Sequence, residues 1–252
     1  MSPPIIDVII PARGGSTGLP GKNGRPLMDR PLLAHSVACA ERIDGVRRIL
    51  LTTDDPDLAA IGKQARAWVP ELRPADLARD DTAMVDVIRH CVTLLSSADA
   101  QPADLICLLD PTSPLRDPSV ISGTARELAG QRALDGAISI SIPAFNPLWV
   151  GVERAPDGEI RRHPLLVGVS GVYTRRQDVP PYWRINGSFY LWRTPFAASI
   201  SADWLDQGRF LGVQTPELLS HSIDTLDDFR LVEALLQAGV VQLPWLSTGN
   251  MR

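Results

Sequence analysis

The chain has 252 residues, 44% of them hydrophobic, and a formal net charge of −4 at pH 7. That length fits one sizeable α/β domain, or one domain with an inserted lobe. The mild acidity implies no basic nucleic-acid face, and no apolar run approaches the ~20 residues that cross a bilayer.

Cys39, Cys91 and Cys107 are widely spaced in apolar or helical-looking stretches. They form neither a disulfide framework nor a metal knuckle. With a first strand that begins almost at once, and so no signal peptide, they point to a reduced cytoplasm.

Ile5 to Pro11 is a short apolar run broken by Asp7, the pattern of a buried parallel strand. The loop from there to Asn23 carries Gly14, Gly15, Gly18 and Gly21 with Arg13 and Lys22. Glycines let backbone N–H groups approach an anion, and the two cations bring charge to where phosphates would sit. The only lysines are Lys22 and Lys63, so a lysine in this loop stands out. The stretch reads as a triphosphate cradle at the carboxyl end of the first strand, with a surface turn as the competing reading. Spacing excludes a Walker A loop: Ser16 stands where it needs Gly, and Asn23 where it needs Ser or Thr.

Pro31 to Ile43 has apolar residues at helical spacing. Arg47 to Thr53 is a second strand. Asp54 and Asp55 follow it, facing the ligand crevice of an open sheet or capping a helix before Pro56. Leu58 to Val69 reads as helix running into a short strand. Arg73 to Thr82 is a polar loop, either ordinary or base-recognising. Ala83 to Leu95 reads as a helix capped by Asp81 or Thr82. Asp104 to Leu109 is a buried strand, and the prolines of the next turn hold Asp110, Thr112 and Ser113 at the crevice. Pro118 to Leu128 is helix and Gly136 to Ile142 strand.

From Pro143 to Arg184 the rhythm breaks in favour of Pro, Trp and Arg. Such a stretch is too long for a plain connection and reads as an excursion, a subunit interface or a lid. Asn186 to Arg193 returns to strand, and Arg209 to Val213 is another short one. Ser220 to Gln237 is a loop and then a helix, with Thr225 as cap and Asp228 in a capping-box position. Leu243 to Arg252 reads as a loose tail. The division is residues 1–142 and 186–240 as a nucleotide-binding domain, 143–185 as an inserted lobe and 241–252 as tail.

With these residues in order, the chain resembles the acylneuraminate cytidylyltransferases, the CMP-sialic acid synthetase family, from about Ile5 to about Gln237. PARGGSTGLPGKN resembles the family's nucleotide loop and TTDD the end of its second strand. RPADLARDDT resembles a nucleotide-holding loop, and LLDPTSPLR the family's LLQPTSPLR turn. RRQDVPPYWRINGSFY resembles the dimer-lobe and acceptor segment, and SIDTLDDF the metal-binding end. The resemblance implies a doubly wound, mostly parallel, Rossmann-like α/β fold with a small dimerisation lobe. It implies a homodimer, CTP as donor, Mg²⁺ as cofactor, a CMP-linked acid as product and pyrophosphate as leaving group.

Residue by residue, it implies catalytic roles for Arg13 and Lys22. Nucleotide contacts fall to Ala12, Arg13, Gly14, Gly15, Lys22, Asn23, Arg73 and Thr82. The acceptor side falls to Asp110, Thr112, Ser113, Arg176, Arg184, Asn186 and Tyr190, and a metal carboxylate to Asp224. The competing readings are a helix N-terminal carboxylate for Asp224 and core packing for Tyr190.

The chain departs from the family in four places. Thr17 replaces a loop lysine, Ser222 an aspartate, Asp110 a glutamine and Trp149 an acceptor-side lysine. Asp110 is expected to supply the metal carboxylate that Ser222 does not. The departures point to a changed acceptor. One reading is a small phosphonate such as phosphonoformate, in a pocket narrowed by Trp149 and lined by Arg175, Arg176 and Arg184. The other is a nonulosonic, sialic-type acid. A catalytically degenerate nucleotide-binding protein, or a transferase using another nucleotide, are the alternatives.

Overall fold

The computed structural model describes residues 3–15, 18–163 and 175–246, leaving aside the side chain of Arg176. The Thr17 departure and the predicted role of Arg176 therefore lie outside the described residues.

β1 (Ile6–Pro11) is buried along its whole length, which is why it is near-continuously apolar rather than alternating, with the buried Asp7 paired to Arg47. A 3-10 turn at Lys22–Gly24 and a two-residue hairpin, β2 (Pro26–Leu27) with β3 (Arg30–Pro31), lead into α1 (Leu32–Ala40). β4 (Val46–Thr52) is followed by α2 (Pro56–Gln64) and α3 (Met84–Ala98). Then come β5 (Leu105–Leu108), α4 (Pro118–Gly130) and β6 (Gly136–Ser141). The excursion holds α5 (Pro147–Val150), β7 (Val152–Arg154) and β8 (Ile160–Arg162). β9 (Arg184–Arg193), α6 (Thr194–Ala198), α7 (Trp204–Gln207), β10 (Phe210–Gln214) and α8 (Leu226–Gln237) complete the described chain.

The six-stranded sheet has the order β10-β6-β9-β5-β1-β4. β4, β1 and β5 are parallel, as are β6 and β10, while β9 runs against both neighbours. The expected mostly parallel sheet thus holds one reversed strand. Its direction follows from the excursion. The chain leaves β6 at the carboxyl edge and re-enters β9 at that same edge, so the two strands run antiparallel. The carboxyl ends of β1 and β5 and the amino end of β9 therefore meet at one edge.

Side chains alternate between two cores. Val8 and Ile10 face one with α1, α4 and α8, and Ile9 faces the other with Val87, Ile88, Leu108 and Trp192. The β7–β8 hairpin is exposed at every residue and pairs only with itself among the described residues.

The expected α8 capping box is present: the Thr225 side chain accepts from Asp228 N, and Asp228 accepts from Thr225 N. Asp55, not Asp54, caps α2, accepting from the N–H groups of Asp57 (2.8 Å) and Leu58 (3.2 Å). The α3 cap differs from expectation. Ala83 occupies it without a side-chain bond. Thr82 Oγ1 donates to Asp76 O at 3.1 Å and Asp81 pairs with Arg79, so the loop's own bonds compete with capping.

The loose tail is not observed as far as residue 246. Val241, Leu243 and Trp245 alternate into the main core, and Trp245 Nε1 donates to His35 Nδ1 at 3.0 Å.

Candidate active site

Lys22 opens its 3-10 turn after Gly21, which sits at φ +66°, a conformation open to glycine. The turn aims Lys22 Nζ across the molecule, where it donates to Ile223 O (2.8 Å) and Asp224 Oδ1 (3.0 Å). Gly18 lets these segments touch: a Cβ there would stand 2.5 Å from the Asp224 carbonyl oxygen. Gly14 is likewise pressed against Asp55, and its N–H donates to Asp54 Oδ1 at 3.0 Å. Glycines expected to approach an anion thus serve, at 14 and 18, the approach of chain to chain.

Arg13 is ion-paired with Asp80 of the 73–82 loop. Asn23 is buried. Its Nδ2 donates to Arg13 O at 3.0 Å, and its buried Oδ1 has no partner among the described residues. Arg73 is buried against the end of β4, donating from Nε to Thr52 Oγ1 (3.1 Å) and from Nη2 to Thr52 O (2.7 Å). Burial lowers its pKa from the ordinary guanidinium value.

At the end of β5, Asp110 Oδ1 accepts from Thr112 N (3.0 Å) and Thr112 Oγ1 (2.9 Å), a side-chain-capped turn. The turn is braced by Arg116, which the sequence reading missed. This fully buried arginine donates to Asp110 O, Ser188 O and Ser36 Oγ, so it ties the turn to β9 and α1. Its signal was a cation directly after the apolar Pro114-Leu115 pair, at the end of the turn. Ile223 N donates to Thr112 O at 2.7 Å, joining the Asp110 turn to the Asp224 segment. Ser222 Oγ lies 3.3 Å from both Thr112 Oγ1 and Asp224 Oδ2.

A cavity of about 380 Å³ gathers Arg13, Lys22, Asn23, Arg73, Asp110, Thr112 and Asp224. A second, of about 360 Å³, shares Met84, Asp110 and Thr112 with it. Ser113, Asn186, Tyr190 and Ser222 contribute to its wall, and Leu108, Trp192 and Trp204 make it apolar. Arg13, Lys22, Asn23 and Arg73 of the expected nucleotide set therefore lie across one shared wall from Ser113, Asn186 and Tyr190 of the expected acceptor set.

Several expected residues stand apart from both linings. Ala12 is buried, with its N–H donating to Thr52 O at 3.0 Å. Gly14, Gly15 and Thr82 are outside as well. Arg184 grips Glu217 through Nε (3.1 Å) and Nη2 (2.9 Å). Arg175 pairs with Asp178, and Trp149 lies partly exposed on α5. Asn186 lines the second cavity with its amide engaged by Thr215, Ser220 and Ser188 N. Tyr190 stacks on Trp192, with ring centroids 5.3 Å apart, and burial raises its pKa. It is both core and cavity wall.

Among the described residues no trio of His, Cys, Asp or Glu forms a self-contained metal cage. The donor set still fits magnesium, which is held by one or two carboxylates plus substrate phosphates. Asp110 and Asp224 line the same cavity as the two loop cations. No helix among the described residues is long and apolar enough to cross a membrane.

Residues 8–140 match the cytidylyltransferase family. The chain is 30% identical to a CMP-N,N'-diacetyllegionaminic acid synthase of Legionella pneumophila, over 92% of this chain and 96% of that one. It is 37% identical to an N-acylneuraminate cytidylyltransferase of Escherichia coli over 44% of this chain and 25% of the relative. A solved CMP:2-keto-3-deoxy-manno-octonic acid synthetase complexed with CTP superposes with a TM-score of 0.67 at 19% identity, covering 93% of this chain and 99% of the other.

Proposed function

The chain belongs to the cytidylyltransferase family, and from that premise we propose that it transfers CMP from CTP to a hydroxyl of a nonulosonic, sialic-type sugar acid. The observation that carries this is the shared wall: Asp110 and Thr112 border both the cavity of the loop cations and the apolar-floored one beside it. A donor in the first would present its α-phosphorus to an acceptor in the second. The acceptor oxygen forms the new bond to phosphorus as the bond to pyrophosphate breaks, and the hydroxyl proton passes to solvent.

The protein's task is positioning and neutralisation of spreading charge. Arg13 and Lys22 exchange Asp80 and Asp224 for phosphate oxygens. Arg73, anchored on Thr52, stiffens the floor. Asp224 would hold magnesium, which when bound would supply neutralisation of the charge on the leaving pyrophosphate.

A small phosphonate acceptor needs a pocket narrowed by Trp149 and lined by Arg175, Arg176 and Arg184; Trp149, Arg175 and Arg184 stand outside both cavity linings, and the Arg176 side chain is outside the described residues. The curated relatives described above are named for sugar acids, which supports that class. The homodimer is assigned to the excursion, where Phe145, Val152 and Ile160 are exposed and a second copy would cover them.

The test is purified chain with CTP, Mg²⁺ and separate acids: nonulosonic acids, deoxy-octulosonate and phosphonoformate. Pyrophosphate and the mass of the CMP adduct are read. Adducts with nonulosonic acids are expected. An adduct with phosphonoformate alone overturns the acceptor class. CTP binding with no pyrophosphate from any acid points to a nucleotide-binding protein, and turnover with UTP, ATP or GTP in place of CTP overturns the donor.

A further inference from the structure

We propose that Met84 is a specificity-determining residue: its thioether side chain keeps water from the α-phosphorus of CTP, so that CMP passes to the acceptor and not to solvent. This rests on the transfer reading above. Three residues border both cavities: Met84, Asp110 and Thr112. Asp110 and Thr112 belong to the turn after β5, which their hydrogen bonds and the grip of Arg116 on the Asp110 carbonyl hold in place. Met84 is the first residue of α3 and the one member of the three with neither charge nor hydroxyl.

Exposure by itself says little, since lone exposed hydrophobic side chains are normal. Position says more. Met84 is 42% exposed and belongs to neither core, whereas Ile88, one turn further along α3, is 2% exposed in the second core and Val85 packs against it. A methionine that builds no core thus stands in a cavity with Arg13, Lys22, Arg73 and Asp224. Its unbranched thioether adapts to irregular shapes and offers water only a weak acceptor.

With the donor in one cavity and the acceptor in the other, the α-phosphorus lies at their border, where water competes with the acceptor hydroxyl. In the competing reaction the water oxygen bonds to phosphorus as the bond to pyrophosphate breaks, and the released proton passes to solvent. The products are CMP and pyrophosphate, with no adduct. An apolar cover at the border leaves a water there short of hydrogen-bond partners and favours its expulsion. The acceptor hydroxyl is delivered by the rest of its own molecule and does not share that cost.

The experiment gives CTP and Mg²⁺ in H₂¹⁸O to full-length wild type, Met84→Gln and Met84→Leu, first without acceptor and then with the nonulosonic acid that wild type converts. Mass spectrometry reads ¹⁸O in the phosphoryl group of CMP. That label marks attack on phosphorus, as distinct from cleavage of a finished adduct at its sugar carbon. Glutamine matches methionine in length but brings an amide that hydrogen-bonds water. Met84→Gln is expected to raise labelled CMP about three- to tenfold and to lower the share of adduct when the acid is present. Met84→Leu, apolar again, is expected to keep the label low.

Wild-type labelling in Met84→Gln overturns the proposal. An equal rise in Met84→Leu also overturns it, because shape and not polarity would then be the cause. A raised KM for the acid with unchanged labelling overturns it in favour of direct acceptor contact. If wild type itself makes no adduct and no pyrophosphate with any acid, the transfer reading falls instead. Should thermal melting find Met84→Gln unfolded, Met84→Ser replaces it, with the same rise expected and wild-type labelling again overturning the assignment.

Discussion

The nucleotide cavity and the excursion both carry cations, and the fold treats them differently. Lys22 is bonded to Ile223 and Asp224, and Arg73 to Thr52. Arg13 pairs with Asp80, 67 positions away. Arg161 pairs with Glu159 and Arg175 with Asp178, neighbours two or three residues off, on exposed backbone. Exposed local pairs contribute a few tenths of a kcal/mol and aim nothing. The cavity cations have distant partners, which only a folded chain supplies, though Arg184 also holds the distant Glu217 outside both linings. Composition alone would have ranked the arginine-rich excursion first.

The strongest way to break the comparison is Lys22→Met. Loss of a pre-aimed cation is expected to lower kcat/KM for CTP by on the order of 10³, whereas Arg161→Ala leaves it within about twofold. Equal losses in steady-state assays would erase the distinction.

The wall behind the nucleotide turn is pH-sensitive. His35 donates from Nε2 to Leu27 O and accepts from Trp245 Nε1, which keeps the ring neutral. Burial pushes its pKa down from 6.5 to about 4. The unfolded chain then binds the proton first, so stability falls as pH drops from 6.5 toward 4, by about 2 kcal/mol between pH 7 and 5. Urea unfolding at both pH values checks this, and His35→Gln flattens the slope.

Gly18→Ala drives a Cβ into the Asp224 carbonyl and is expected to cost about 1–3 kcal/mol. Gly15→Ala, with no atom within 4 Å of its Cβ, leaves the unfolding midpoint unmoved.

Asp80→Asn frees Arg13 from its exposed partner. KM for CTP is expected to fall about two- to fivefold, and a rise would mean that Asp80 helps hold the nucleotide. Smallest of all, Ile160→Ser in the excursion changes stability by no more than ~0.5 kcal/mol and leaves CTP affinity alone. Its expected effect is on sedimentation, toward the monomer.

The elements were largely legible because their signals are local. Apart from Asp7, Ile6–Pro11 is apolar since both faces are covered, and Thr225 with Asp228 spells a cap within four residues. The α3 cap and the tail were misread for the opposite reason. Thr82 was claimed by Asp76, and Val241, Leu243 and Trp245 needed a core built by residues far earlier in the chain. At the site, Arg13, Lys22, Asn23, Arg73, Asp110 and Asp224 were each named from motifs. The pairing of Lys22 with Asp224, the brace of Arg116 and the engagement of Arg184 by Glu217 were not visible there.

Residue types, their spacing and the order of the motifs by themselves determined the layered α/β architecture, the glycine-rich loop and the family. Tertiary structure alone decided which cations face the cavity, that β9 reverses, and that the buried Arg116 braces the Asp110 turn. The physical reason is range. Burial pattern and capping act over a few residues, whereas charge compensation and backbone contact join positions as far apart as Lys22 and Asp224.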